Sequence, residues 1–240
     1  MAGFLPQCRR LAAAALAVIG ASAGANAPAP APAAKAPDVE AIVSYETRHV
    51  MSSGITRVDT WQERLVRRGD QVWTERILPA AVQEHDDDDH DKKPEHIGHK
   101  HFNGDTAARW LRRQADGKVD VKYVDREHKA VVAIPRAEYG TVGFDGSWAA
   151  AANIVPAALA KSMKAGASSG EAQWRTDKRD GWAHRVLWSE SRQIAMKVES
   201  VKDDGTVRRL VTVQLKPVAA KAPWDLLAGY AQKRYDDFMD

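Results

Sequence analysis

Between residues 40 and 216 the chain alternates polar and apolar positions in short runs that break at glycine-bearing turns. That period of two, punctuated in this way, marks antiparallel strands joined as hairpins. The first three runs cover residues 40–51, 56–67 and 71–78, with turns at Ser52-Ser53-Gly54 and Arg68-Gly69-Asp70. In the second run Val58, Thr60, Gln62, Arg64 and Val66 share one face, and Asp59, Trp61, Glu63, Leu65 and Arg67 share the other. Neither face is cleanly apolar, which suits a strongly curved sheet with a partly wet surface better than a dry sandwich.

Further runs at 106–114, 118–125 and 129–134 extend this first meander, the last stopped by Pro135, and 139–144 offers one more short strand. Composition then shifts to alanine over residues 148–165, where Ile154, Leu159 and Met163 fall near helical spacing and Pro156 suits a first turn. The spacing predicts one helix over 155–164. Residues 166–170 read as a flexible connection, and a second meander follows at 172–176, 182–189, 193–202 and 206–216. Within it Trp182, His184, Val186 and Trp188 point to one side. Pro223-Trp224-Asp225 predicts a C-terminal helix to about residue 238, with Leu227 and Tyr230 toward the sheet. The fold class expected is therefore mainly β with helical additions: a strongly curved antiparallel half-barrel, one inserted helix and a C-terminal helix.

The start of the chain reads differently. Arg9 and Arg10 precede an apolar run from Leu11 to Ile19 and then small residues to Ala27. That three-part pattern is a secretory signal peptide, residues 1–27, and its apolar run is too short to span a bilayer. The one cysteine, Cys8, lies before the apolar run, so lipidation is not expected and the mature chain has no thiol. Residues 28–37 alternate proline and alanine, an extended spacer without a core. Residues 38–240 are expected to form a single β-rich domain, long enough to bury a core without staples. Export without disulfides points to a bacterial periplasm. The formal net charge is +3 and no basic stripe stands out, so nucleic acid is not an expected partner.

Residues 84–102 interrupt the first meander with five of the chain's eight histidines, His85, His90, His96, His99 and His101, and a run of four aspartates. Imidazoles at such short spacings suit zinc, copper or nickel, with carboxylates as further ligands. Pro94 and Gly98 disfavour a helical zinc motif, and the spaced carboxylates of a calcium loop are missing. The competing reading is a solvated acidic loop that decorates the sheet. Its removal is expected to cost little stability if residues 78 and 106 lie close together.

A family resemblance enters through the second meander. Gly181-Trp182-Ala183-His184-Arg185-Val186-Leu187-Trp188-Ser189, then Ile194-Ala195-Met196-Lys197-Val198-Glu199 and Asp203-Asp204-Gly205-Thr206, resemble the tail of the periplasmic lipoprotein-carrier superfamily, which includes the LolA/LolB-type carriers and the RseB-type regulators. The resemblance implies an incomplete curved barrel whose concave face holds acyl chains or an extended hydrophobic peptide under helical lids. The family's usual long helix before the first strand is absent here, the histidine-rich stretch is not one of its features, and no functional residue transfers by motif.

On that expectation Trp182, His184 and Trp188 are the candidate ligand-binding residues, against the plainer reading that strand aromatics are core packing. The basic residues Arg57, Arg64, Arg67, Arg68 and Arg76 crowd the first hairpins, either for phosphate headgroups or an acidic partner, or as a wet charged face. No nucleophile elbow, Ser-x-x-Lys set or phosphate loop occurs, so catalysis is not expected. The expected function is a non-enzymatic periplasmic binding protein for a lipid-like or lipoprotein ligand, with peripheral membrane contact and an envelope protein as further partners. The alternatives are a transition-metal-binding or metal-sensing protein working through the histidine-rich stretch, and an envelope-stress regulator of RseB-like type.

Overall fold

The computed structural model describes residues 35–78 and 107–238. Twelve strands form one open, curved sheet. They are β1 (Val39–Val50), β2 (Thr56–Arg68), β3 (Gln71–Ile77), β4 (Ala108–Arg113), β5 (Val119–Asp125), β6 (Ala130–Ile134), β7 (Lys164–Ser169), β8 (Ala172–Arg179), β9 (Trp182–Ser189), β10 (Ile194–Lys202), β11 (Val207–Lys216) and β12 (Ala231–Arg234). Their order across the sheet is β12-β6-β5-β4-β3-β2-β1-β11-β10-β9-β8-β7. The two meanders thus meet where the first strand pairs with the last long one, antiparallel from Glu40↔Lys216 to His49↔Val207. Every ladder is antiparallel except β12 against β6.

Curvature follows from which side chains meet. Val121 and Tyr123 of β5 and Ile134 of β6 share one buried cluster with Ile194 of β10 and Val213 of β11, although β1 to β4 stand between them in the sheet. Such distant strands can share a core only if the sheet curls around it. The same cluster includes Ala41, Val43 and Leu65, with Phe144 and Ala152 from the connection between the meanders. We call this side the inner face. A smaller cluster lies on the outer face, where Val66, Trp73, Ala108, Val124 and Val131 are covered by Trp224, Leu227 and Tyr230.

Among the described residues two short α-helices pack on the inner face, α1 (Trp148–Asn153) and α2 (Ala157–Ser162). Ser147 caps α1 by accepting from the Ala150 amide. The helix expected over 155–164 is present in shorter form as α2, whereas α1 was not expected; Ile154, at a positive φ of 67°, and Pro156 separate the two. Residues 166–170, read as a connection, belong instead to β7 and its turn. The short strand expected at 139–144 is a series of turns that places Tyr139 edge-on to Phe144.

The predicted C-terminal helix is overturned. Residues 223–238 form a 3-10 turn (Pro223–Leu226), strand β12 and a second 3-10 turn (Tyr235–Phe238). Asp225 accepts from the Ala222 amide at 2.8 Å, so the helix-start signal in Pro223-Trp224-Asp225 caps one short turn. Gly229, at a φ of +84°, then turns the chain into β12, which hydrogen-bonds to the free edge of β6. Leu227 and Tyr230 do face the sheet, as the spacing implied, but from a turn.

Residues 1–34 and 79–106 lie outside the described residues, and with them the leader, most of the spacer and the stretch at 84–102. The strands flanking 79–106 are direct neighbours, paired from Gln71↔Arg112 to Thr74↔Arg109. Residue 106, one of the two ends that a shortened connection would join, lies outside the described residues.

Candidate functional site

Helices α1 and α2 cover one end of the inner face, and among the described residues no helix covers the other. The register lines up Trp61, Tyr45, Val211 and Val198 in a single row across β2, β1, β11 and β10, which continues to Val186 of β9, buried beneath α2, and to Arg175 of β8. Trp61, Tyr45, Val211 and Val198 are only half-buried, a floor of aromatic and aliphatic surface. The next row toward the hairpin tips is polar: Asp59, Thr47, Arg209, Ser200, His184 and Asp177. An apolar strip with a polar border can take an amphipathic molecule, provided something supplies the complementary charge.

Aromatic rings carry cations at both ends of this floor. Tyr45 and Trp61 stack with centroids 4.9 Å apart, and the Arg76 guanidinium lies 5.3 Å from the Trp61 ring. At the far end Trp182 stacks on His184 at 6.4 Å, and Arg209 sits over Trp182 at 4.8 Å. Such contacts fix the long arginine side chains against a rigid ring. Burial, with the Glu63 carboxylate next to it, pushes the Tyr45 phenol above its usual range, so it stays a neutral donor. Burial, followed by the Arg179 charge, pulls the His184 pKa down, leaving a neutral ring whose Nδ1 is 2.9 Å from Ser200 Oγ.

The three candidate residues therefore separate. Trp182 and His184 stand together, half-buried, at the edge of the open floor. Trp188 lies beneath α2, 1% exposed, packed with Val155, Ala160, Met163 and Val186. Its indole N–H donates to Glu190 at 2.8 Å. Tyr45 and Trp61, which the structure places on this face, were not among the residues expected from the sequence. Trp61 was legible as an aromatic on the same face as Glu63 and Leu65, but the row it joins depends on the pairing of β1 with β11.

The basic residues of the first hairpins do not act as a set. Arg64 donates to Glu40 at 2.6 Å, Arg57 to Asp59, and Arg68 to the carbonyls of Ala219 and Ala220. Arg67 is 1% exposed, so reading it as part of a wet face is corrected. It donates to the Ala152 carbonyl and Asn153 Oδ1 in α1, to the carbonyls of Arg192 and Gln193 in the β9–β10 turn, and to Pro37. One side chain thereby ties the first helix to the sheet.

The second helix has its own tie, and this one depends on pH. Glu190 accepts from Lys161 of α2, from Trp188 and from Gln193, which together hold its pKa down to about 2. A depressed carboxylate stabilises the fold fully above its unfolded value near 4.5 and loses that contribution as pH falls toward 2. Glu190→Gln should lower the melting temperature at pH 7, by up to about 1 kcal/mol of stability for so exposed a group. Melting curves of both proteins from pH 7 to pH 3 should show the gap closing on acidification, and a gap that is constant over that range would refute the assignment.

The histidines His85, His90, His96, His99 and His101 lie outside the described residues. Among the described residues, Asp125, Glu127 and His128 place ligand-type atoms within 4.8 Å of one another. Asp125 accepts from both the His128 amide and its ring Nδ1, at 3.0 and 2.8 Å, so the group shapes the β5–β6 turn.

What the fold and this face define is a half-barrel with a partly open inner face. No protein-family model and no curated protein matches the chain. It is similar to the MucA/MucB complex of Pseudomonas aeruginosa, with 11% identity and a TM-score of 0.37 over 79% of this chain and 56% of that one. It is also similar to an outer membrane lipoprotein-sorting protein domain of Vibrio parahaemolyticus, with 11% identity and a TM-score of 0.33 over 78% and 88%. A LolA superfamily protein of Nitrosomonas europaea matches with 9% identity and a TM-score of 0.30 over 81% and 92%. The resemblance to lipoprotein-carrier structures is a weak one. A structure of PNGF-II matches with 10% identity and a TM-score of 0.39 over 84% of this chain and 32% of that one.

Proposed function

We propose that the chain is a non-enzymatic binding protein of the bacterial periplasm that takes a lipid-like or lipoprotein ligand onto its inner face. In this reading residues 1–27 direct export and are removed, and residues 28–37 act as a spacer before the sheet. One observation carries the proposal: the apolar row from Trp61 to Val198 is only half-buried, whereas the part of the inner face beneath α1 and α2 is sealed. A sheet face that serves only as core would be covered along its whole length, since uncovered apolar surface has a free-energy cost with no return in packing. Trp182 and His184 border the floor and belong to the site, together with Tyr45 and Trp61.

Native mass spectrometry of the mature protein taken from its own compartment, paired with displacement of an apolar fluorescent probe, tests this. A lipid-sized mass excess and saturable probe binding at micromolar concentration are expected. No lipid mass and no saturable binding would reject the proposal, whereas an excess matching zinc, copper or nickel would favour the histidine-rich stretch as the working part.

A further inference from the structure

The inner face carries more arginine than it neutralises. Arg76, Arg109, Arg175 and Arg209 all project from it by register, and among the described residues none of them forms an ion pair. Two of these stand side by side. Arg76 lies opposite Glu63 on β2, and Arg109 lies opposite Thr74, two residues along on the neighbouring strand β4. Diagonal neighbours of this kind have Cα atoms roughly 7–8 Å apart and project to the same side.

Among the described residues no carboxylate holds either in an ion pair. Arg76 is fixed against the Trp61 ring at 5.3 Å, and the buried Nε of Arg109 has no hydrogen-bond partner among the described residues. A buried guanidinium N–H without an acceptor is a donor that an oxygen of a bound molecule can satisfy. The nearest acid, Glu63, interacts with the Tyr45 hydroxyl, and Arg109 acts on that same phenol, so the two arginines and the Tyr45–Trp61 stack form one neighbourhood.

We propose that Arg76 and Arg109 form the headgroup end of the site, holding the carboxylate or phosphate of a single-chain amphiphile whose chain runs over Trp61, Tyr45, Val211 and Val198. This rests on the binding reading above and adds to it the charge and placement of the ligand's polar end. Guanidinium forks match carboxylate and phosphate oxygens in geometry as well as charge. From β2 to β10 the floor crosses three strand spacings, about 14 Å, a length comparable with an acyl chain. A free anion would leave that floor unused, and a neutral lipid would leave the arginines unpaired.

Calorimetric titration of the mature chain with dodecyl phosphate, dodecanoate, the neutral glycerol monoester of dodecanoic acid, and inorganic phosphate separates these cases. The two anionic amphiphiles should bind saturably and the neutral ester about tenfold or more weakly, as expected for loss of a charge-assisted pair. Arg76→Gln and Arg109→Gln should each weaken the anionic ligands by about tenfold and leave the neutral ester unchanged. Arg126→Gln, on the outer face beside Glu75, should change neither. Equal affinity for anionic and neutral amphiphiles in the wild-type protein would overturn the headgroup assignment while leaving the binding reading intact, and needs no variant. Displacement of dodecyl phosphate by millimolar inorganic phosphate would overturn the role of the chain. Absence of binding by every amphiphile would remove the binding reading itself.

Discussion

Replacing Arg67 with methionine should lower the unfolding free energy by about 3 kcal/mol or more, the largest effect expected of a single polar substitution in this chain. Its Nη1 donates to Ala152, Asn153 and Gln193 at 2.8, 2.6 and 2.9 Å, and its Nη2 to Arg192 and Pro37 at 2.6 and 2.9 Å. None of these acceptors is a carboxylate. Burial pulls the guanidinium down to about 10, so it is still charged at neutral pH and is held by carbonyl dipoles. Methionine keeps much of the stem's volume but leaves those carbonyls without a donor. Lysine would keep the charge with three donors and no planar fork, so Arg67→Lys should recover only part of the loss. Urea unfolding checks both, and an Arg67→Met midpoint within 1 kcal/mol of wild type would show that water replaces the guanidinium at little cost.

Trp188→Ala and Trp182→Ala should behave in opposite ways although the two residues share a strand face. Trp188 is 1% exposed within the cluster beneath α2, and truncating a ring there is expected to cost about 3–5 kcal/mol. Trp182 is half-buried beneath Arg209, and its truncation should cost about 1 kcal/mol or less of stability. Ligand binding should show the reverse ranking: Trp182→Ala weakens amphiphile binding directly, whereas Trp188→Ala protein that is still folded at low temperature binds normally. Equal stability losses for the two would place both rings in the core.

This pair also shows how far the sequence could be read. Alternation put Trp182, His184, Val186 and Trp188 on one side, and the register confirms that they share it. Period two says nothing about which end of a strand is covered, because that depends on where α1 and α2 land. Arg67 posed the same problem: its face was legible, but its burial depends on carbonyls brought in from residues 37, 152, 192 and 193. The C-terminal segment misled for a local reason. Leu227 and Tyr230 have helical spacing, yet Gly229 at positive φ and the open edge of β6 offered a turn and a parallel strand instead. The residues 166–170 are small, so they show no alternation, although Ser168 and Ser169 pair with β8 all the same.

The pairing of β1 with β11 sets the order in which the fold can be completed. Each meander is built from contacts between neighbours in sequence, whereas the seam between them, Glu40↔Lys216 to His49↔Val207, joins strands far apart in the chain. Closing such a distant contact is slow, because the loop entropy is lost before the ladder forms. Until the last long strand has emerged, β1 has a partner only in β2, and its other edge stays open to any passing strand. A newly made chain therefore has its sticky edge at its beginning and the cover for that edge near its end, so the interval between the two is when a chaperone would matter most.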